Sequence, residues 1–242
     1  MRLSKLGFCF GLMLCGSLTA MAQEKPNAAS AKATAASDKA VSIFDGKSLA
    51  GWSGSADNWR VEDGAITGEN KADAPIAQNT FIVYEKPVGN FELTLEFRIQ
   101  GGNSGIQYRS KLIDKDKFIV GGYQADIDAN KRYMGINYEE RGRGILAERG
   151  EIIAIDEKGN KSRVGSAGDA DALLGQVKFD GWNKYRIVAR GNVVQHFIND
   201  ALMSEVQDGQ SDKAAKEGVL ALQLHAGPPM KVQFKNILLT NE

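Results

Sequence analysis

The chain has 242 residues, of which 43% are hydrophobic and 27 are glycine, and its 30 basic and 30 acidic side chains balance. That composition excludes an intrinsically disordered chain, which needs low hydrophobicity with high net charge. It also excludes nucleic-acid binding through a broad basic face. Both cysteines, Cys9 and Cys15, lie within the first 15 residues. The folded part therefore works without a thiol nucleophile, a disulfide or a cysteine metal ligand.

In chain order, the first element reads as an export signal. Arg2 and Lys5 precede an apolar run from Leu6 to Leu18, too short to span a bilayer as a helix. Ala20-Met21-Ala22 fits a small-x-small cleavage site, which makes residues 1–22 the signal peptide. A lipoprotein anchored at Cys15 is the alternative, disfavoured because Leu14 stands where a small residue is needed. Without Arg2 and Lys5 the chain keeps 28 basic and 30 acidic residues, a net charge of −2. The expected location is the periplasm or the medium. Residues 23–40, rich in Ala, Ser and Lys, bury too little to fold alone and read as a linker.

From Val41 onward the dominant period is two, and residues 41–242 read as one domain. Phe91, Leu93, Leu95, Phe97 and Ile99 alternate with Glu92, Thr94, Glu96 and Arg98, the pattern of a strand with one buried face. Tyr185 to Ala189 and Leu220 to Leu224 repeat it. Val193 to Ile198 and Ala201 to Met203 flank Asn199-Asp200, a tight-hairpin signal. Further strands are predicted at Trp59–Val61, Ala65–Gly68, Thr80–Tyr84, Gly105–Arg109, Tyr123–Asp128, Ile145–Arg149 and Val232–Leu239. Short helical turns are predicted near Asp169–Leu174 and Ser211–Glu217. Many short strands with glycine turns between them define an all-β sandwich.

Three strands carry directional polar groups on one face. Gln107 and Arg109 share a face, as do Gly122, Gln124, Asp126 and Asp128, and as do Gln223 and His225. Amide, guanidinium, carboxylate and imidazole groups on neighbouring strands would pave a concave surface suited to a polyhydroxylated ligand. Ordinary solvent-exposed strand faces are the plainer account. Gly102, Gly105, Gly121 and Gly122 permit close approach of a ligand or serve bulges. The loop Tyr138-Glu139-Glu140-Arg141-Gly142-Arg143-Gly144 offers an acid or base beside an arginine, or else a solvated turn. Of the two histidines, His196 reads as a surface position, and His225, at a strand end beside Gly227-Pro228-Pro229, as the functional one.

Several motifs fail. Asp126-Ile127-Asp128-Ala129-Asn130 opens like a calcium loop, but Lys131 replaces the glycine and the closing glutamate is missing. There is no H-E-x-x-H, G-x-S-x-G or P-loop. The paired-carboxylate strand motif of laminarinase-type enzymes is incomplete at Asp126 and Asp128.

Five ordered segments resemble a known family. They are Phe44-Asp45-Gly46-Lys47-Ser48-Leu49 with Gly51-Trp52; Trp59-Arg60-Val61-Glu62-Asp63-Gly64; the pair Asn103–Ser110 and Gly122–Ile127; Trp182–Tyr185 with His196–Asn199; and Gly218–His225 with Val232–Ile237. Together they are similar to the 3-keto-disaccharide hydrolase domain family. The resemblance implies a concanavalin/laminarinase-like jelly-roll β-sandwich and cleavage of 3-oxidised sugars. A ketone at C3 acidifies the C2 hydrogen; a base removes it, the enolate expels the C1 substituent, and water adds to the product. On this reading Asp126 or Glu139 is the base, with His225 assisting. Arg109 or a divalent metal (Mn, Mg, Ca or Zn) on Asp126, Glu139 and His225 stabilises the enolate. Gln107, Gln124, Gln223, Tyr138 and Arg143 contact substrate, and a sugar 3-oxidoreductase supplies it. A non-catalytic carbohydrate-binding module and a conventional glycoside hydrolase are the alternatives.

Overall fold

A computed structural model describes residues 39–242; the expected signal peptide and all but the last two residues of the expected linker lie outside the described residues. The strands, in chain order, are β1 (Val41–Ser42), β2 (Trp52–Ser53), β3 (Trp59–Glu62), β4 (Ala65–Asn70), β5 (Thr80–Tyr84), β6 (Phe91–Gln100), β7 (Asn103–Asp114), β8 (Ile119–Asp128), β9 (Asn137–Glu140), β10 (Gly144–Ala147), β11 (Glu151–Ile155), β12 (Lys161–Ser166), β13 (Asn183–Arg190), β14 (Val193–Ile198), β15 (Ala201–Asp208), β16 (Val219–Leu224) and β17 (Met230–Asn241). One short helix, α1 (Ala170–Leu174), is capped by the Asp169 carboxylate, which accepts from the Asp171 and Ala172 amides. Ser211–Glu217, predicted as a second helical turn, forms irregular turns.

The strands form two sheets, a jelly-roll β-sandwich. The first has the order β12-β11-β15-β14-β13-β6-β17-β4-β3, with β1 beside β17; the second runs β10-β9-β8-β7-β16-β5-β2. Pairing is antiparallel except between β11 and β15. The core is what the alternation dictates. Leu93, Leu95 and Phe97 of β6, with Tyr185 and Ile187 of β13, meet Ile106, Tyr108, Tyr123, Leu222 and Leu224 of the second sheet. The Asn199-Asp200 hairpin turns through two positive φ values, 49° and 68°, as its sequence requires.

One interior feature departs from the expectation. His196 is fully buried between the sheets, not on the surface. Its Nδ1–H donates to the Ile136 carbonyl (3.2 Å), which leaves Nε2 to accept from the Tyr108 hydroxyl (2.8 Å). Edge-on contacts with the Tyr108 and Tyr185 rings complete its cage. The alternation Val194, His196, Ile198 put it on the inner face, and the hairpin two residues away does not change that parity.

Burial pushes the His196 pKa down from 6.5 to about 3. The unfolded chain therefore binds a proton that the native state refuses between those values. Stability from this group is complete above about pH 6.5 and declines as pH falls towards 3, by at most roughly 5 kcal/mol. Denaturant titrations from pH 7 to 4 should show that slope, and His196→Gln should flatten it while lowering stability at pH 7.

Candidate active site

The concave face of the second sheet holds a cavity of about 650 Å³, within the range of small-molecule sites. Its floor is a cross-strand row. Register pairs Asp126 of β8 with Gly105 of β7. β16 runs beside β7 with Ala221 opposite Gln107 and Leu222 opposite Ile106, so the next residue, Gln223, flanks Gly105 on its other side. At one strand spacing per step, Asp126 and Gln223 stand about 10 Å apart across the glycine. A side chain on Gly105 would collide with the Gln124 amide, with a Cβ only 2.5 Å from Cδ. The glycine thus admits this protein's own glutamine, not a ligand.

Gln124 is held by a chain of donors. The Ser110 hydroxyl donates to Gln107 Oε1 (2.7 Å), Gln107 Nε2 donates to Gln124 Oε1 (2.6 Å), and Gln124 Nε2 donates to Asp126 Oδ1 (2.9 Å). Each amide has both ends engaged, and an ionised Asp126, which can only accept, sets the chain in this direction. Asp126 is almost completely buried. Burial raises its pKa well above 3.8, and the nearby Asp128 and Glu140 push the same way, against the amides of Gln124 and Asn103.

The walls come from loops and from β9. Tyr138 lies opposite Gln124 in the β8–β9 ladder and lines the cavity. Burial, then Glu140 and Asp126, raise its phenol pKa. Glu140, two residues on, shares its face. Asn79 clamps two walls together: Nδ2 donates to Glu140 Oε1 (3.3 Å), and Oδ1 accepts from the Ala226 amide (3.0 Å). His225 closes the β16 side; its Nδ1–H donates to the Ala226 carbonyl, leaving Nε2 as the ring's free position among the described residues. Apolar rim is supplied by Ile136, Ile145, Tyr133, Pro228, Pro229 and Met230.

The site therefore joins Gln124, Asp126, Tyr138, Gln223 and His225. Gln107, expected as a substrate contact, stands behind Gln124 and positions it. Three other expected residues are elsewhere. Arg109 does not share a face with Gln107, because the β7–β8 ladder slips between Tyr108 and Lys111 and Arg109 takes φ 47°. Its guanidinium is buried and donates to the carbonyls of Gly89 (2.7 Å), Gly191 (2.7 Å) and Ala189 (3.2 Å) and to Asn90 Oδ1 (2.9 Å). It is a structural clamp, not an enolate stabiliser.

Glu139 lies opposite Tyr123, on the other face of β9 from Tyr138 and Glu140. It pairs with Arg143 (2.6 Å), which also holds Asp208 (2.6 Å). Burial opposes the Arg143 charge, but these two carboxylates outweigh it and raise its pKa. Asp208 in turn accepts from the Tyr123 hydroxyl. Glu139 and Arg143 are thus one interior ionic cluster, neither base nor substrate contact. The metal set Asp126, Glu139 and His225 is dissolved by the same parity. Among the described residues no three His, Cys, Asp or Glu side chains are grouped to hold a metal. The alternation should have signalled Glu140 in place of Glu139, since Tyr138 and Glu139 cannot face one cavity.

With this geometry, comparison with known proteins is decisive for family. A family model described as the 3-keto-alpha-glucoside-1,2-lyase-like domain matches residues 39–240. The chain belongs to this family. A Bacteroides thetaiotaomicron protein named 3-keto-disaccharide hydrolase is 29% identical over 174 residues, covering 67% of this chain and 57% of the relative. The chain thus spans little more than half of that relative. Among solved structures, a candidate glycosyl hydrolase from Parabacteroides distasonis has a TM-score of 0.56 at 19% identity, covering 84% of this chain and all of its own. The carbohydrate binding module CBM66 of Bacillus subtilis has a TM-score of 0.51 at 16% identity, covering 79% of this chain and 96% of the module. A galectin-like protein of unknown function from Bacillus subtilis has a TM-score of 0.53 at 11% identity, covering 80% and 90%. At these identities the structures share the fold.

One buried polar group in the site is unmatched. Gln223 has no solvent exposure, and neither its Nε2 nor its Oε1 has a partner. Such groups cost about 1–3 kcal/mol each when left unmet. Arg109, with four satisfied contacts, is the opposite case. Arg109→Met should lower unfolding free energy by about 3 kcal/mol, as the stripped acceptors lose a charged donor. Equilibrium denaturation measures this, and ligand binding by the variant that remains folded should be unchanged.

Proposed function

We propose that this protein is a carbohydrate-active enzyme that cleaves 3-keto-glucosides by elimination and hydration. The observation that carries the reading is a single buried carboxylate, Asp126, held by a satisfied amide chain at the floor of a polar cavity that also presents His225. The family description names a 3-keto-α-glucoside lyase-like domain, which agrees with that chemistry. Elimination needs one base, one acid and a donor for the enolate oxygen. It does not need two opposed carboxylates across the scissile bond.

Asp126 takes the proton from C2. The C–H pair becomes the C2=C3 bond of the enolate as the ketone π pair moves onto O3. The enolate collapses, the C1=C2 bond forms, and the C1 substituent leaves with the bond pair. His225, when it carries a second proton on Nε2, gives that proton to the departing oxygen and keeps its Nδ1–H on the Ala226 carbonyl. Water then adds at C1 and a proton returns to C2, so net hydrolysis results. The raised proton affinity of Asp126 makes it a stronger base than an exposed carboxylate, provided the pH is above its pKa. Gln124 is fixed as a donor towards Asp126 and cannot flip without breaking its bond to Gln107. Tyr138 and the apolar rim offer surfaces for a sugar face and for the C1 substituent.

The reading of residues 1–22 as an export signal supports an activity outside the cytoplasm, and an oxidoreductase that makes C3 ketones would supply the substrate. A non-catalytic module on the same sandwich predicts binding without release of the C1 group.

The test uses a nitrophenyl 3-keto-α-glucoside and its unoxidised parent. The wild-type protein should release nitrophenol from the ketone alone. Asp126→Asn should lower the rate by roughly 10²–10⁴-fold, whereas Glu139→Gln, if it folds, should retain turnover. Because the base works deprotonated, kcat should rise with pH through a midpoint above 3.8, and that limb should vanish in Asp126→Asn. Equal activity on the parent glucoside would convert the reading to a conventional glycosidase.

A further inference from the structure

We propose that Gln223 is the residue that holds the enolate oxygen. Its Nε2–H donates to O3 of the substrate, and its Oε1 accepts from a hydroxyl on the neighbouring ring carbon. The assignment rests on the 3-keto-glucoside reading above and fills the role that Arg109 vacates.

The first support is the hydrogen-bond inventory of the buried glutamines. Gln107 and Gln124 have both amide ends engaged in the chain to Asp126. Gln233, in the other sheet, accepts from Arg98 (2.6 Å) and donates to Thr67 (3.0 Å). Gln223 is equally buried, yet both of its amide atoms lack partners. Packing alone would favour an apolar residue of the same size there, as buried Phe81 lies opposite it in β5 and buried Ala221 shares its face. An amide left unmet on both ends, in the lining of a cavity, is matched by a ligand that brings one acceptor and one donor.

The second support is placement. Gln223 and Asp126 stand on opposite sides of Gly105, with the cavity above the glycine. A sugar ring over Gly105 would meet the base on one side and the amide on the other. The Gln223 backbone is fixed centrally in the sheet: the Ser104 hydroxyl donates to its carbonyl (2.7 Å), and β16 is paired on both edges. The backbone that carries the donor is therefore fixed, while the amide, held by no bond within the protein, is left to orient on the ligand.

The third support is chemical. The ketone oxygen only accepts, and the hydroxyl beside it can donate. A carboxamide is the side chain that offers one donor and one acceptor in a plane, so it matches an α-hydroxy ketone across two parallel bonds. A vicinal diol would satisfy the same amide in the ground state. The distinction appears when charge builds on O3: the N–H contact strengthens with the enolate and no proton moves across it. Gln223 therefore acts chiefly on kcat rather than on binding.

Gln223→Met removes both polar ends while keeping the volume. With the nitrophenyl 3-keto-α-glucoside, kcat should fall roughly 10²–10³-fold, the loss typical of one oxyanion donor, while KM changes by less than about tenfold. Thermal unfolding should stay level or rise, because no bond inside the protein is lost. A structural glutamine would give the reverse pattern. With substrate deuterated at C2, the isotope effect on kcat should be larger in the variant, since enolate formation becomes more fully limiting. Wild-type protein that fails to turn over the ketone would sink the functional reading and this role with it. Wild-type turnover with full kcat in Gln223→Met would overturn the Gln223 assignment alone. So would an unfolding midpoint lowered by about 4 °C or more, since that would show the amide bonded within the protein.

Discussion

The hydrogen-bond chain from Ser110 through Gln107 and Gln124 to Asp126 is the contact on which the site depends. A buried carboxylate is costly unless its lone pairs are met. Here the cost is offset at one oxygen by an amide whose own orientation is set two residues deeper. The ionised Asp126 can only accept, and that sets the direction of the chain back to the Ser110 hydroxyl. That direction presents an N–H to Asp126, which the Asn103 amide also supports. The chain runs across β7 and β8, so it cannot shift unless the sheet does. Gly105 is part of the same arrangement, since its missing side chain makes the room that Gln124 occupies.

The opposite face of the same strand is also polar, but to a different end. Tyr123 stacks on Tyr108 at 5.7 Å with rings nearly parallel, and each hydroxyl is satisfied inside the sandwich. Tyr108 meets His196, and Tyr123 meets Asp208, which the Arg143 guanidinium shares with Glu139. Every charge in this cluster has a partner of opposite sign. It therefore fixes how the sheets meet, with each charge taken up by a partner within the protein. The concave face differs in that respect: three carboxylates there, Asp126, Asp128 and Glu140, share a cavity with one arginine at the rim, Arg132, which is itself paired to Glu148.

Much of this was legible in the period-two pattern. Alternation at Phe91–Ile99, Tyr123–Asp128 and Leu220–Leu224 gave strand, inner face and outer face together, because both faces of a sandwich strand follow from one register. Gln124, Asp126, Gln223 and His225 were found that way. The same rule, applied one step further, would have separated Glu139 from Tyr138 and chosen Glu140. Arg109 was beyond it. A bulge moves a residue to the other face without any change in composition, and only a ladder slip with positive φ, visible in three dimensions, reveals it. At His196 the parity of Val194 and Ile198 decides the inner face, and the surface signal of a hairpin two residues away does not alter it. Asn79 and Asn103 carry no periodic signal, since they reach the cavity from a turn and a strand end.

The two faces of β8 and β9 therefore divide the labour. A carboxylate whose hydrogen bonds all close inside the protein, as at Glu139 and Asp208, gains fold stability and loses reactivity. A polar group whose bonds do not close, as at Gln223, forgoes stability and keeps capacity for a ligand. Unpartnered buried atoms also occur at Trp59, Asn137 and Tyr185, none of which lines the cavity, so the mark of function here is an unmet polar atom in the cavity lining. By that criterion the two glutamines nearest Gly105 have different tasks: Gln124, saturated, holds the carboxylate, and Gln223, unsaturated, awaits the substrate.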